Sequence, residues 1–275
     1  MSTLNFHKME GAGNDFVIID NRESGLSIDE IISITPTLCD RKFGVGADGL
    51  LVLEPAQIDG VDYTMIYRNA DGSDAGMCGN GSRCLALFAA NNGFGNKQRF
   101  NVHDGIYEAE VGKIEHQVSV LFPDALAPKK LQINKKKYLQ VYTGTEHIVS
   151  FEELDRLEDE NNLIEEGVFV RNHPLLNPPG SNVNFVCIDD DTSLYLQTFE
   201  KGVEDLTLAC GTGALASAIA THFDQGKKGT DFEYSITVKG GTLEVSFKFD
   251  EDANIYTHLI LSGPAHFVFK GSISI

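Results

Sequence analysis

The sequence predicts an α/β (α+β) chain built as two similar domains facing each other, and three observations lead there. Strand-like runs alternate with turn residues, the helices read as short and capped, and one cysteine-glycine motif occurs twice, once in each half. The strand-like runs are Phe16 to Asp20, Leu50 to Leu53 and Tyr63 to Tyr67, each followed by Asn, Asp, Gly or Pro. Ser27 with Glu30 forms a capping box ahead of Ile28, Ile31 and Ile32. Ser150 with Glu153 suggests a second box ahead of Leu154 and Leu157.

The repeated motif is Cys-Gly-x-Gly before an apolar helical stretch. It reads Cys78-Gly-Asn-Gly-Ser-Arg-Cys84 in the first half and Cys210-Gly-Thr-Gly213 in the second. Upstream, Asn14 to Asp20 is echoed by Val183 to Asp189, a strand of the same character. Pro123 to Pro128 and the lysines that follow shift composition abruptly, which sets the domain boundary near residue 123. Lys129, Lys130, Lys135, Lys136 and Lys137 read as a solvated edge strand or hairpin with no binding role.

The chain has 275 residues, with 22 Lys+Arg against 40 Asp+Glu and a net charge of −18, which argues against nucleic acid as a partner. With 42% hydrophobic residues it has material for a sizeable core. No apolar run approaches the roughly 18 residues a membrane helix needs, and Met1 to Gly11 does not read as a signal peptide. The expected setting is therefore cytoplasmic, with no membrane partner. Five cysteines in a chain of this length do not make a disulfide framework.

Nucleotide and metal signals are weak. Gly44-Val-Gly-Ala-Asp-Gly49 is a formal GxGxxG, but a good strand follows the glycines and none precedes them, so it reads as a tight turn entering a strand. Gly211-Thr-Gly-Ala-Leu-Ala216 does open a helix, yet no acidic residue sits at the distance a ribose contact requires. There is no phosphate loop, and Cys78 and Cys84 lack zinc spacing, so neither cofactor nor metal is expected.

A cysteine followed by Gly-x-Gly and a helix sits where unpaired backbone N–H groups and the helix dipole stabilise a thiolate. The glycines leave room for an anion to touch the backbone. A nucleophilic enzyme needs one such sulfur with a basic partner, whereas two matched sulfurs suit two-sided acid/base chemistry. One thiolate removes a proton from a carbon, the opposite thiol returns one, and the stereocentre inverts. The blander reading makes both cysteines small buried hydrophobes, but packing alone does not ask for two glycines after each. Cys39, Cys84 and Cys187 lack that context and read as structural.

The residues closely resemble the diaminopimelate epimerase family, whose members work without pyridoxal phosphate. Matching segments are Gly11-Ala-Gly-Asn-Asp-Phe16, Asp40 to Gly49, Asn69-Ala-Asp-Gly-Ser73, Met77 to Cys84, Asn182-Val-Asn-Phe185, Glu200-Lys-Gly202, Ala209 to Gly213 and Gly263-Pro264. The resemblance implies two pseudo-symmetric domains, each a curved, mostly antiparallel sheet wrapped around a central helix. Residues 1–122 with 264–275 would form the first, carrying Cys78, and 123–263 the second, carrying Cys210. It implies Cys78 and Cys210 as the acid/base pair interconverting LL- and meso-diaminopimelate in lysine and peptidoglycan precursor synthesis. Asn14, Gly79, Asn80, Gly211 and Thr212 would line the reacting end, and Asn69, Asn182, Glu200 and Lys201 the distal end. A homodimer with a small-molecule amino-acid substrate is likewise implied.

Three positions depart from the family pattern. Lys201 stands where an Arg is usual and lacks the bidentate fork for a distal carboxylate; Arg68 is a candidate to compensate, or a surface arginine. Gly144-Thr-Glu-His147 replaces Gly-Asn-Pro-His, so Thr145 loses an amide. His147 either helps set the thiol ionisation or is an ordinary loop histidine. Leu206 replaces a common Glu. These departures keep two rivals open, a cofactor-independent racemase of the same fold acting on another amino acid and an amino-acid-binding relative that has lost catalysis.

Overall fold

The computed structural model describes residues 3–113 and 116–274. The chain divides into two compact units, one of Met1–Val120 with Gly263–Ile275 and one of Leu121–Ser262.

The first unit contains β1 (Thr3–Gly11), β2 (Asn14–Asp20), α1 (Asn21–Ser24), α2 (Ile28–Cys39), β3 (Gly49–Pro55), β4 (Tyr63–Asn69), α3 (Gly79–Asn91), β5 (Lys97–Val102) and β6 (Gly105–Val111). The chain leaves this unit within β7 (Gln117–Phe122). In the second unit follow β8 (Ala125–Leu126), β9 (Lys129–Ile133), β10 (Lys136–Tyr142), β11 (Glu146–Phe151), α4 (Leu154–Glu158), α5 (Glu160–Arg171), β12 (Asn182–Ile188), β13 (Ser193–Glu200), β14 (Asp205–Thr207), α6 (Gly211–Gln225), β15 (Asp231–Val238) and β16 (Gly241–Asp250). The chain returns within β17 (Ile255–Pro264) and ends in β18 (His266–Ser274), antiparallel to β1.

The two sheets repeat one pairing scheme. In the first unit β1/β2 is antiparallel, β2/β3 parallel, β3/β4 antiparallel, β4/β5 parallel and β5/β6 antiparallel. In the second the same succession runs β10/β11, β11/β12, β12/β13, β13/β15 and β15/β16. Helices fall at matching places, with α2 answered by α4 and α5, and α3 by α6. This corrects the strand echo read from the sequence. Asn14 to Asp20 is β2, whose counterpart is β11, whereas Val183 to Asp189 lies on β12, the counterpart of β3. The letters matched because both are buried strands with similar apolar content, and pairing order cannot be read from one strand.

Helices α3 and α6 are buried almost all round. In α3 every residue from Gly79 to Ala89 is buried, and in α6 every residue from Gly211 to His222. Glycine, alanine and serine dominate their first turns, so strands can approach closely from several sides. Side chains of β2 and β3 (Val17, Ile19, Leu50, Val52) pack with Ile31 and Leu38 of α2 on another face of the first sheet. Ile148, Val183, Phe185 and Phe199 pack with Leu163 and Val170 of α5 in the second.

The capping box at Ser27 forms as read: its hydroxyl accepts from the Glu30 N–H, and the Glu30 carboxylate accepts from the Ser27 N–H at 2.8 Å. The box expected at Ser150 does not form. Ser150 is fully buried in β11 and donates to Glu152, and α4 starts after Glu153 without a side-chain cap. Strand pairing with β12 holds Ser150 extended, so the tertiary ladder overrides the local signal. Gly44 to Gly49 is a turn leading into β3, and the lysines form the β9/β10 hairpin. Among the described residues no helix is long and apolar enough to cross a membrane.

The Ser27 cap gives a stability prediction. Ser27→Ala should lower the unfolding free energy by about 1 kcal/mol in urea titration, as loss of an N-cap does. An unchanged urea midpoint would show that α2 is held by packing alone.

Candidate active site

Cys78 occupies the N-cap of α3 with an extended backbone (φ −125°, ψ 117°), and Cys210 occupies the N-cap of α6 in nearly the same conformation (φ −119°, ψ 106°). The backbone turns into the helix directly after each sulfur-bearing residue, where the first N–H groups lack intrahelical partners. At Cys78 the Gly81 N–H donates to Sγ at 3.4 Å. Space is tight at Gly81 and excludes a side chain at Gly213. A Cβ at Gly81 would lie 3.0 Å from Leu51 Cδ2, and one at Gly213 would lie 2.4 Å from Asn184 Oδ1 and 3.1 Å from Cys210 Sγ.

In the first unit the structure brings together Asn14, Cys78 and Asn80. Asn14 Oδ1 lies 3.8 Å from Cys78 Sγ and accepts from Asn80 Nδ2 at 3.4 Å. Its other end donates to Asp48 Oδ2 at 2.7 Å, so a carboxylate fixes which way the amide points. Asp48 and Asp15 share Arg41, whose Nη2 donates to both at 2.7 and 2.8 Å, and Lys8 pairs with Asp15 at 2.6 Å. Burial pushes the Asp15 carboxyl up, but hydrogen bonds from Arg41 and Lys8 outweigh it and hold the group well below the usual carboxylate range. Asn69 is held separately, in the turn after β4, with its Nδ2 donating to Ser73 Oγ at 3.0 Å.

In the second unit a directed relay runs to Cys210. Asn184 Nδ2 donates to the Ile148 carbonyl at 3.1 Å, and Thr198 Oγ1 donates to Asn184 Oδ1 at 2.9 Å, which fixes the amide. The same Nδ2 lies 3.0 Å from His147 Nδ1, so that nitrogen accepts and the ring hydrogen sits on Nε2. His147 Nε2 then donates to Thr212 Oγ1 at 3.0 Å, leaving the threonine hydrogen for Cys210 Sγ at 3.7 Å.

His147 is thus neither a loop residue nor a charged neighbour of the thiol. It is fully buried on β11, and burial lowers its pKa to about 3. It acts as a neutral ring that orients a hydroxyl.

Asn182, Glu200 and Lys201 lie nearby on β12 and at the end of β13. Asn182 is the register partner of His147, and its Oδ1 accepts from the Lys201 N–H at 2.8 Å. Glu200 Oε1 accepts from Thr207 Oγ1 at 2.5 Å. The Lys201 ammonium is bound to Glu146 Oε2 at 2.9 Å. Arg68 pairs through Nη1 with the half-exposed Asp74 at 3.4 Å, and its buried Nε has no hydrogen-bond partner among the described residues. Leu206 packs against the core of the second unit beside Phe199, which gives it a packing role. Gly79 and Gly211 open the two helices, both buried. Sequence reading missed Asp48, Asn184, Glu146 and Arg83. All four sit inside quoted segments, and Arg83 alone carried a signal, a cation in an apolar helix. Among the described residues no group of three His, Cys, Asp or Glu side chains is placed to hold a metal.

Solved structures first define the class. A hydroxyproline epimerase from Agrobacterium vitis superposes with a TM-score of 0.75 at 12% identity, over 99% of this chain and 91% of that one. A phenazine biosynthesis protein of the PhzF family from Bacillus anthracis gives 0.74 at 15% identity over the whole of both chains. These likenesses define a shared two-unit α+β fold. Sequence then narrows the class, since the family model described as diaminopimelate epimerase matches residues 6–125 and 139–268. The diaminopimelate epimerase of Flavobacterium psychrophilum is 39% identical over 272 residues, covering 98% of this chain and 100% of its own. That of Chlorobaculum tepidum is 38% identical over 272 residues, covering 97% and 100%. The chain belongs to the diaminopimelate epimerase family and is an isomerase.

The relay yields a pH prediction. A buried neutral histidine binds no proton in the folded state between about pH 6.5 and its lowered value, whereas the unfolded chain does. Its contribution to stability is therefore complete above about pH 6.5 and declines as pH falls towards 3. His147→Gln should lose less stability between pH 7 and pH 5 than the parent does. A 15N NMR titration showing the His147 ring protonated near pH 6 would sink this account.

Proposed function

We propose that the chain interconverts LL- and meso-diaminopimelate by exchanging the α-proton between Cys78 and Cys210, without a cofactor, in lysine and peptidoglycan precursor synthesis. The single observation that carries this reading is the occurrence of both sulfurs at the N-cap of a wholly buried helix, at matching places in two repeated units. The α-carbon to hydrogen bond breaks and its proton passes to the thiolate sulfur, while the electron pair stays on carbon and is drawn towards the carboxylate. The other cysteine's S–H then delivers its proton to the opposite face, and the pair ends with its protonation states exchanged.

The α-hydrogen is weakly acidic, so the negative charge must be met by fixed donors. The N–H groups of the first helical turns, with Gly79, Asn80, Gly211 and Thr212, are the candidates for holding the reacting carboxylate. Asn14 would offer an acceptor to the α-ammonium. Asn69, Asn182, Glu200 and Lys201 would receive the distal amino acid end, where asparagine amides supply both donors and acceptors. His147 would serve by holding the Thr212 hydroxyl towards Cys210. A cytoplasmic homodimer fits the same reading. Exposed Phe267, Val268 and Phe269 on β18, which pairs with β1, provide apolar surface for a second copy.

A racemase acting on another amino acid is favoured by one specific observation, the pairing of Lys201 with Glu146 where the family pattern has an arginine.

Incubation with LL-diaminopimelate in deuterated water should place deuterium at the α-carbon as the meso form appears. Cys78→Ala and Cys210→Ala should each reduce turnover by at least about three orders of magnitude, the scale of losing an essential acid or base. Equal or better turnover of histidine, lysine, glutamate or proline would displace the diaminopimelate reading. If Glu146 restrains Lys201, Glu146→Gln should lower KM for LL-diaminopimelate with kcat little changed; an unchanged KM would separate Lys201 from distal recognition.

A further inference from the structure

We propose that a cleft on the α2 side of the first sheet is a second small-molecule site, built for a basic amino acid with one carboxylate and two ammonium groups. The cleft lies wholly within the first unit and has a volume of about 480 Å³, within the size range of ligand pockets. Its side of the sheet follows from alternation along the strands. Val17 of β2 and Ile66 of β4 pack with the α2 cluster, whereas their neighbours Phe16 and Tyr67 meet edge to face on the other side, ring centroids 5.7 Å apart. Arg68 therefore shares a face with Ile66, and Asn69 shares the opposite one with Tyr67. The arginine serves the cleft rather than the side of the sheet on which Asn69 lies.

The fixed charges lining the cleft are one guanidinium, Arg68, and two carboxylates, Glu54 and Asp74, with His103 beside them. Each is short of partners. Only 14% of the Arg68 side chain reaches solvent, yet its buried Nε has no hydrogen-bond partner among the described residues and its ion pair with Asp74 spans 3.4 Å. A guanidinium so far out of water calls for acceptor oxygens, and a carboxylate matches its fork. Asp74 is half exposed, and its other oxygen lies 2.9 Å from His103 Nε2. Glu54 Oε1 accepts from Asn21 Nδ2 at 2.6 Å, and burial without a nearby cation pushes its carboxyl up.

Two carboxylates against one guanidinium favour a ligand with more positive charge than negative. Inorganic phosphate or a dicarboxylate would satisfy Arg68 while adding to the excess. Spacing narrows the class further. Glu54 is the register partner of Thr64, four residues before Arg68 on β4, so the two ends of the cleft lie about 13 Å apart along the strand. The adjacent carboxylate and ammonium of an α-amino acid can serve Arg68 and Asp74, but only a further ammonium on an extended stem reaches Glu54. Ile66 and Ile28 line the path between them, and Ile28 is 45% exposed, an apolar surface that a methylene stem would cover. Arg68 adjoins Asn69 and Asp74 stands four residues before Cys78, so the ligand would rest on the segment joining two candidate site residues.

The test is isothermal titration calorimetry of the whole protein with L-lysine. Three further probes each lack part of its charge pattern: L-norleucine has no terminal ammonium, cadaverine no carboxylate, and inorganic phosphate no ammonium at all. L-lysine should bind, and each of the others should bind at least about tenfold more weakly, the scale of one lost charge-assisted hydrogen bond. Arg68→Met and Glu54→Gln should each weaken L-lysine by a similar factor, whereas Asn182→Ala in the second unit should leave it unchanged. If Arg68→Met does not fold, Glu54→Gln and the probe series on the natural protein decide. Absence of L-lysine binding, or phosphate or norleucine binding as tightly as L-lysine, would overturn the proposal. So would binding that survives Arg68→Met and Glu54→Gln but is lost in Asn182→Ala, since L-lysine would then occupy the candidate active site. No turnover is measured, so the outcome is separate from whether diaminopimelate is epimerised.

Discussion

The structure depends on one local arrangement made twice, a cysteine capping a helix that is buried on nearly every side. A helix in that position cannot be amphipathic, so its first turns are built from Gly, Ala, Ser and Thr, and the surrounding strands come close enough to touch its backbone. The same crowding forces glycine at the third position after Cys210, where a Cβ at Gly213 would strike Asn184 Oδ1 at 2.4 Å, and leaves little room at Gly81 after Cys78. Packing and chemistry thus make a single demand. The unsatisfied N–H groups at the helix start are the cost of ending a helix inside the protein, and they are also what an anionic sulfur or a carboxylate would use.

Much of this was legible because it is written in short, local words. The Cys-Gly-x-Gly repeat, the Ser27 capping box, the turn from Gly44 to Gly49 and the lysine hairpin each depend on neighbours a few residues apart. What stayed hidden depends on pairing between distant strands. Ser150 carries a good capping signal yet stays extended because β12 pairs with it. The strand echo failed for a related reason, since apolar content marks a buried strand without saying which neighbours it has. His147 could not be placed from its own segment because its tautomer is dictated by Asn184, 37 positions away. Arg83 stood in plain view inside the motif, but its meaning comes from burial and neutral partners, neither of which one sequence displays.

The distal end follows the same lesson. Lys201 looks like a weakened version of an arginine when read alone. In the folded unit its ammonium lies 2.9 Å from Glu146, itself one of the residues departing from the family pattern, so the two departures form one pair. Both side chains keep a quarter to a third of their surface in solvent, 25% and 32%, which screens the pair and leaves it exchangeable. An arriving carboxylate would compete with Glu146 for the ammonium. If Lys201 receives the distal end as proposed, affinity there would be set by a competition between two carboxylates as much as by the loss of the guanidinium fork.

The repeated units are alike in topology and unlike in the groups that lie beside their N-cap cysteines. Unit one surrounds its cysteine with charges, Arg83 buried and Lys8, Arg41, Asp15 and Asp48 in balance nearby. Near its cysteine, unit two places the Thr212 hydroxyl and, behind it, a histidine kept uncharged by burial. A fixed charge biases ionisation persistently, whereas a hydroxyl that can donate to a thiolate or accept from a thiol follows whichever state the sulfur adopts.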